Sequence, residues 1–498
     1  MSPTRIATLR NGQAVPLEVV PVVDVATFQA AMLAAVREGE RVASLFGMRL
    51  PSGAVRLYAV LADDTHHALA ALAADVRATY PSLTPSCPQV HLFEREVFEQ
   101  EGAFPEGHPW LKPVRAHDFP RKGEGKSALR HPFFAMNGEG VHEVAVGPVH
   151  AGVIEPGHFR FQCQGETVHH LEVHLGYQHR GVEEALIGGP HKRTMIQMET
   201  VAGDTTIGHG TAHCLAMEAL AGVEAPPRAR ALRAVALELE RLANHVGDMG
   251  ALANDVGYLP TASYCGRLRG DFLNMTALVC GSRLGRGLAR PGGVAFDVDD
   301  TMVTALLDRL ARAERDVREA VDLFFGSDSV HARLEGTCPL TAQACVELGI
   351  VGVAARACGL PRDVRMDHPT GGLRRAPVPV ATWPSGDVFA RAMVRRLEIE
   401  RSAAFVREQL GALPPGPVRT TCPPPRPGHL AVALAEGWRG EVAHVAITDS
   451  AGCFARYKVV DASFHNWTGL AMTLRGQQIS DFPLGNKSFN LSYCGFDL

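Results

Sequence analysis

Apolar positions recur at two different periods along the 498-residue chain, and the change of period divides it. Up to about residue 111 the runs are short. Val55 to Leu61 reads VRLYAVL, a strand pattern rich in β-branched and aromatic residues, while His66 to Thr79 carries a helical spacing. That mixture predicts a small α+β unit over residues 1–111. From Lys112 to Val141 the periodicity lapses and the letters turn basic and Gly-containing, as in a connection over a surface. A second domain is expected over residues 142–498.

That domain opens with two strand-like runs, His158 to Cys163 and Thr167 to Leu175, and long helical patterns follow. In Arg228 to Met249, behind Pro226 and Pro227, the residues Leu232, Val235, Leu239, Leu242 and Val246 stand three and four apart, which gives one buried stripe. Thr301 to Phe325 and Asp387 to Leu410 repeat the pattern with charged residues interleaved, as on the solvated faces of a helical bundle. The Pro-rich segment Leu413 to Pro427 breaks it. Glu441 to Val460 then reads as a strand pair turning at Ser450 to Gly452. The expected fold class is α+β: a small N-terminal α+β domain, then a mainly helical bundle with small β-sheet elements.

Composition narrows the function. Hydrophobic residues make up 46% and charged residues 20%, with a formal net charge of -4, so there is no basic excess to neutralise phosphates and nucleic acid is not an expected partner. No run approaches the roughly 20 apolar residues needed to cross a bilayer. The opening MSPTRIATLRNGQAV has no apolar signal core, so the chain is expected to be cytoplasmic. None of the eleven cysteines stands in a C-x-x-C pair, which argues against an iron–sulfur or structural zinc site of ordinary spacing and against a disulfide framework. No G-x-G-x-x-G loop follows a strand, so no dinucleotide site is expected.

Several stretches resemble a known superfamily. FEREVFEQEGAFPEGHP at Phe93 to Pro109 resembles the signature of the smaller (30 kDa-type) peripheral-arm subunit of complex I. GPVHAGVIEPGHFRFQCQGETV from Gly147, running into LEVHLGYQHRGVEEAL from Leu171, is similar to the start of the catalytic subunit of group 4 membrane-bound nickel-iron hydrogenases and of the 49 kDa-type subunit of complex I. The likeness continues through GSRLGRGLARPGGV from Gly281, Leu340 to Leu360, and RYKVVDASFHNW from Arg456, and ends in SDFPLGNKSFNLSYCGFDL from Ser480. It implies a fused small and large subunit, as in formate-hydrogenlyase-type complexes.

In such hydrogenases four thiolates in two C-x-x-C pairs hold nickel and iron, because soft sulfur suits that site. Aligning ETVAGDTTIGH, from Glu199 to His209, puts Ala202 and Thr205 at the first pair. Aligning NLSYCG, from Asn490, puts Ser492 and Gly495 at the second, with Cys494 one residue off. Little sequence follows that would serve as the extension cleaved in hydrogenase maturation. No nickel-iron centre is therefore expected. Complex I uses the vacated space for quinone, but the His and Tyr that the resemblance assigns to the quinone head group fall at Ile154 and Gly203.

The resemblance implies a peripheral-arm electron-transfer subunit of a membrane-bound, ion-translocating oxidoreductase. It would sit on the cytoplasmic face of the inner membrane without a span of its own. Its terminal cavity would face an iron–sulfur cluster in a partner small subunit, with a ferredoxin-like subunit and ion-translocating membrane subunits as further partners. No cofactor is expected in this chain itself, and a quinone is the candidate acceptor. His150, Glu155, Asp204, His209, Arg283 and Asp481 are the candidate cavity residues, as carboxylates, histidines and a cation able to relay protons or stabilise charge. The histidines between His158 and His191 lack a completing Cys or carboxylate and read as structural. Two other readings stand beside this one: the catalytic large subunit of a group 4 nickel-iron hydrogenase, and a non-catalytic coupling scaffold.

Overall fold

The computed structural model describes residues 6–115, 132–151 and 154–498. Of the expected connection over 112–141, residues 116–131 lie outside the described residues. The chain is mixed α and β, 45% helical and 20% strand, with several small sheets.

The first sheet is built from strands β1 (Ala7–Leu9), β3 (Val22–Val23), β4 (Arg41–Arg49), β5 (Val55–Asp63) and β6 (Ala68–Val76), in the order β1-β6-β5-β4 with β3 pairing β6 in parallel. Strand β2 (Gln13–Pro16) leaves this sheet, and helix α1 (Val25–Arg37) covers it. The helical reading of His66 to Thr79 is corrected here, because most of that stretch is β6. Ala and Leu favour a helix in isolation. In the fold, β6 is paired along its length with β5 and on its other edge with β1 and β3, and Leu69, Leu72, Ala73 and Ala74 are fully buried. Tertiary pairing overrides the local preference. Strand β7 (Thr79–Pro81), helix α2 (His91–Glu101) and strand β8 (Phe104–Glu106) complete this part. The motif Glu-Arg-Glu lies on α2, which ends at Gly102 in the left-handed conformation (φ 74°), a backbone position that suits glycine.

A three-stranded sheet follows: β9 (Val141–Val146), β10 (His158–Gln164) and β11 (Thr167–His174), antiparallel with β10 central. Short helices α3 (Val182–Leu186) and α4 (Thr194–Met198) lead to α5 (Thr206–Ala221) and then to α6 (Pro227–Asp255). Pro226 and Pro227 start α6, where a missing N–H costs nothing. Its buried stripe packs against α7 (Leu259–Cys280) and, beyond strands β12 (Ala289–Arg290) and β13 (Gly293–Val294), the bundle is completed by α8 (Asp300–Phe325) and later α13 (Val388–Gly411). Helices α9 (Asp328–Leu334), α10 (Ala342–Leu348), α11 (Gly352–Arg356) and α12 (Val364–Asp367) intervene.

The last sheet holds β14 (His429–Glu436), β15 (Glu441–Thr448) and β16 (Phe454–Val460), in the order β16-β15-β14-β2. The expected strand pair is β15 and β16. The sheet also contains β14, and its outer strand is β2 from the N-terminal part, Gln13 pairing with Val432. Helices α14 (Ala462–Thr473), α15 (Phe482–Phe489) and α16 (Tyr493–Asp497) close the chain. Buried apolar side chains run continuously from Leu61 and Leu72 in the first sheet to Leu242 and Phe272 in the bundle.

Candidate functional site

The sequence motifs scattered over three hundred residues meet at one place. Arg180, in the turn after β11, donates Nη1 to the Thr200 carbonyl (2.7 Å) and Nη2 to the carbonyls of Val201 (2.9 Å) and Cys494 (3.1 Å). It thereby ties the loop before α5 to α16. Asp497 strengthens the junction by accepting the backbone N–H groups of Gly176 and Gln178, both at 2.8 Å. From the opening hairpin, Glu155 accepts the Cys494 N–H at 3.0 Å.

At this junction the four positions assigned to metal-binding thiolates present other chemistry. Ala202 is fully buried and carries no donor. The Thr205 hydroxyl accepts from Arg439 (3.3 Å). Ser492 caps α16, its Oγ accepting the Gly495 N–H at 2.9 Å. A Cβ on Gly495 would stand 2.8 Å from Asp461 Cγ, so even a small side chain there needs rearrangement. The nearby thiol, Cys494, is pushed up by burial and by Glu155, away from the thiolate form a metal needs. A four-sulfur nickel-iron centre does not fit these residues.

Asp204 in the same loop forms a forked pair with Arg439, Nη1 to Oδ1 at 2.6 Å and Nη2 to Oδ2 at 2.8 Å. Burial opposes its charge, but the guanidinium more than offsets that and holds the carboxyl below its ordinary range. Arg439 also lies over the Trp438 ring, 4.0 Å from its centroid, and the Trp438 indole N–H donates to the Asp204 carbonyl. Beside this pair Gly203 faces open space: nothing lies within 4 Å of where its Cβ would be.

Behind the loop runs a row of buried, hydrogen-bonded groups. Asp461 is the N-cap of α14; its Oδ1 accepts Ser463 N–H at 2.8 Å, which leaves Oδ2 to meet His209 Nε2 at 3.0 Å. His209 Nδ1 is 3.1 Å from His444 Nε2. His444 Nδ1 is 3.0 Å from the Tyr457 hydroxyl, which His213 Nδ1 meets at 2.8 Å. The local structure explains the alignment. His209 and His213 are four residues apart on α5 and share a face. His444 on β15 and Tyr457 on β16 are diagonal neighbours on one face of the sheet, because Ala446 pairs with Tyr457. Burial depresses His213 to about 4 and, with its histidine neighbours, holds His444 well below its ordinary value, so both rings are neutral.

The comparisons agree with this convergence of motifs. Residues 255–427 match the family described as the respiratory-chain NADH dehydrogenase, 49 Kd subunit. The carbon monoxide-induced hydrogenase of Rhodospirillum rubrum is 31% identical over 344 residues, 69% of this chain and 95% of that protein. Formate hydrogenlyase subunit 5 of Escherichia coli (strain K12) is 30% identical, over 81% of this chain and 74% of its own length. NADH-quinone oxidoreductase subunit 4 of Thermus thermophilus is 29% identical, over 68% of this chain and 89% of its own. The chain belongs to the family that joins 49 Kd-type complex I subunits to membrane-bound hydrogenase large subunits. It is an oxidoreductase-type subunit. Among the described residues no helix is long and apolar enough to cross a membrane.

Within this 49 Kd-type fold the six candidate residues are distributed unevenly. Asp204, His209 and Glu155 surround the junction of loop and α16. His150 bonds the Gly157 carbonyl (Nε2 to O, 2.9 Å) and, with Ile154, Phe159, Phe482 and Tyr493, lines a neighbouring cavity of about 350 Å³. Arg283 is exposed after α7, close to Gly270. Asp481 caps a short turn, accepting the Gln478 N–H at 3.3 Å. Neither is linked by hydrogen bonds to the row. His170 and His174 pack against the rings of Phe134 and Phe133, and among the described residues no three His, Cys, Asp or Glu groups are arranged to hold a metal. Sequence reasoning missed Arg439, His444, Asp461, Tyr457 and His213. Tyr457 and Asp461 lay within the recognised RYKVVDASFHNW stretch and could have been flagged there.

Proposed function

We propose that this chain is the peripheral-arm electron-transfer subunit of a membrane-bound, ion-translocating oxidoreductase without a nickel-iron centre. It shapes the cavity where electrons from a partner's iron–sulfur cluster reach a small acceptor, and it supplies that acceptor with protons. The observation that carries the reading is the row Asp461, His209, His444, Tyr457, His213, which starts beside Gly495, where the relatives' pattern calls for a thiolate.

A quinone or other carbonyl-type acceptor reduced by two electrons takes up two protons. Asp461 Oδ2 holds one end of the row in place. Each imidazole can accept on one nitrogen and donate from the other, so a proton passed from His209 Nε2 to Asp461 Oδ2, the end of the row beside Gly495, can be replaced stepwise from His213 through the Tyr457 hydroxyl and His444. The Asp204–Arg439 pair keeps a fixed charge pattern at the open space beside Gly203, where the acceptor would be oriented. The partners this role requires are an iron–sulfur small subunit, a ferredoxin-like subunit and ion-translocating membrane subunits, at the cytoplasmic face of the inner membrane.

The test is isolation of the complex through a tag on this chain, with metal analysis and assays of hydrogen, quinone analogues and ferredoxin as redox partners. Iron without stoichiometric nickel, together with quinone-analogue reduction lost in His209→Ala, is the expected result. Stoichiometric nickel with hydrogen-dependent dye reduction would overturn it in favour of a hydrogenase. Turnover unchanged in both Asp204→Ala and His209→Ala would reduce the chain to a coupling scaffold.

A further inference from the structure

Two thiols outside this site meet each other. Cys345 lies on α10 and Cys358 just beyond α11, thirteen residues on, and their Sγ atoms are 3.3 Å apart. The local fold brings them together: α10 ends at Gly349 in the left-handed conformation (φ 68°), the chain turns, and α11 returns alongside. Cys345 is fully buried and Cys358 is 5% exposed. Most buried cysteines are small apolar fillers. These two differ, because Cys345 donates to the Cys358 sulfur and so lowers that thiol against the effect of burial, with the Arg391 guanidinium adding to the shift. A disulfide bond is about 2.05 Å long, so an approach of about 1 Å closes it.

The segment between them touches the candidate site. Asn466 grips Val351 through both backbone groups, accepting its N–H and donating to its carbonyl, each at 3.0 Å. Gly352 lies so close to the turn bearing Arg439 that a Cβ there would stand 2.0 Å from the Arg439 carbonyl oxygen. A cross-link between the two cysteines closes a loop directly behind the residue that pairs with Asp204.

We propose that Cys345 and Cys358 form a reversible dithiol–disulfide pair, oxidised by a peroxide and re-reduced by a thiol reductant of the glutathione or thioredoxin class. Cys358 thiolate attacks a peroxide oxygen of hydrogen peroxide; the S–O bond forms, the O–O bond breaks, and the departing hydroxide takes a proton to leave as water. Cys345 sulfur then displaces the sulfenic oxygen, forming the S–S bond and releasing a second water. The two thiols lose two electrons and two protons, and the peroxide becomes two waters. Reduction by two external thiols reverses the change and leaves those thiols as a disulfide.

The experiment uses the full chain in its complex. After hydrogen peroxide treatment and quenching, the protein is denatured in an alkylating reagent and the modified cysteines are counted. The expected result is a fall from eleven alkylated cysteines to nine, restored to eleven by prior dithiothreitol. Trypsin should then yield residues 357–362 linked to residues 334–356, and because the larger peptide also holds Cys338, fragmentation must assign the bond to Cys345. Cys358→Ser should hold ten alkylated cysteines before and after peroxide, whereas Cys345→Ser should fall from ten to nine with no disulfide formed, its Cys358 left as a sulfenic acid. Eleven alkylated cysteines after treatment of the unaltered chain, or a bond to any cysteine outside this pair, would overturn the proposal, and that readout does not depend on a variant folding.

Discussion

Asp461 Oδ2 and His209 Nε2 lie 3.0 Å apart although 252 residues separate them in the chain, and both side chains are shut away from solvent. One carboxylate thus performs two tasks, capping α14 with one oxygen and fixing an imidazole of α5 with the other. The contact joins the helix that follows the Ala202–Thr205 loop to the helix on which the last residues pack. Its loss should be felt in both stability and chemistry.

Burial works against the Asp461 charge, but the hydrogen bond and charge of His209 and the charge of Arg439 more than offset it, so the carboxyl falls to about 2. A depressed acid stabilises the fold above its unfolded value of 3.8 and loses that contribution as pH drops towards 2. Asp461→Asn keeps the shape and removes the charge, and it should cost about 3 kcal/mol at neutral pH. Urea unfolding measures this; a change below about 0.5 kcal/mol would show that the pair does not hold the fold together.

His213 and His465 are both pushed down to about 4, chiefly by burial. In the unfolded chain each takes a proton near its ordinary 6.5, so between those values the unfolded state binds more protons than the native one. The two rings' contribution to stability should be level above pH 6.5 and should fall as pH drops towards 4, by up to about 3 kcal/mol for each ring, while buried carboxyls pushed up, such as Glu99 and Glu436 at about 7, contribute with the opposite sign. Urea midpoints at pH 7.5 and pH 5 read the effect, and His213→Gln should shrink the difference. A pH 5 to 7.5 difference identical in the unaltered chain and in His213→Gln would contradict it.

Arg439→Lys retains the charge but cannot fork to both Asp204 oxygens or lie flat on Trp438. Because Asp204 is 34% exposed, the stability loss should be modest, about 1 kcal/mol. Turnover of the assembled complex should drop more than that figure implies, because the fork fixes the loop that carries Gly203. Turnover equal to the unaltered complex would mean that the pair only holds the loop's shape.

Local pattern carried much of this architecture. The stripe of Leu232, Val235, Leu239, Leu242 and Val246 lies within α6, and β10, β11, β15 and β16 fall where the strand-like runs and the turn between them put them. Ala68 to Val76 misled because its Ala-rich spacing is helical while its partners in the sheet are remote. Nothing near Gln13 signals that it will pair with Val432. The site divides the same way. Glu155 and His209 stood inside motifs, whereas His444 is one polar letter in an apolar strand and gains meaning only when α5 packs across β15.

Tyr457→Phe tests the relay most directly, since it keeps the buried ring and deletes the single oxygen between His444 and His213. Two imidazole nitrogens then lose their partner, which should cost about 2 kcal/mol, small enough for the chain to fold and assemble. If protons travel along the row, the variant's kcat should fall about tenfold or more, with KM for the acceptor unchanged and a larger solvent isotope effect. A purely structural tyrosine predicts a lower melting temperature with kcat intact. The two outcomes separate cleanly because Tyr457 is two hydrogen bonds removed from His209 and does not border the open space beside Gly203.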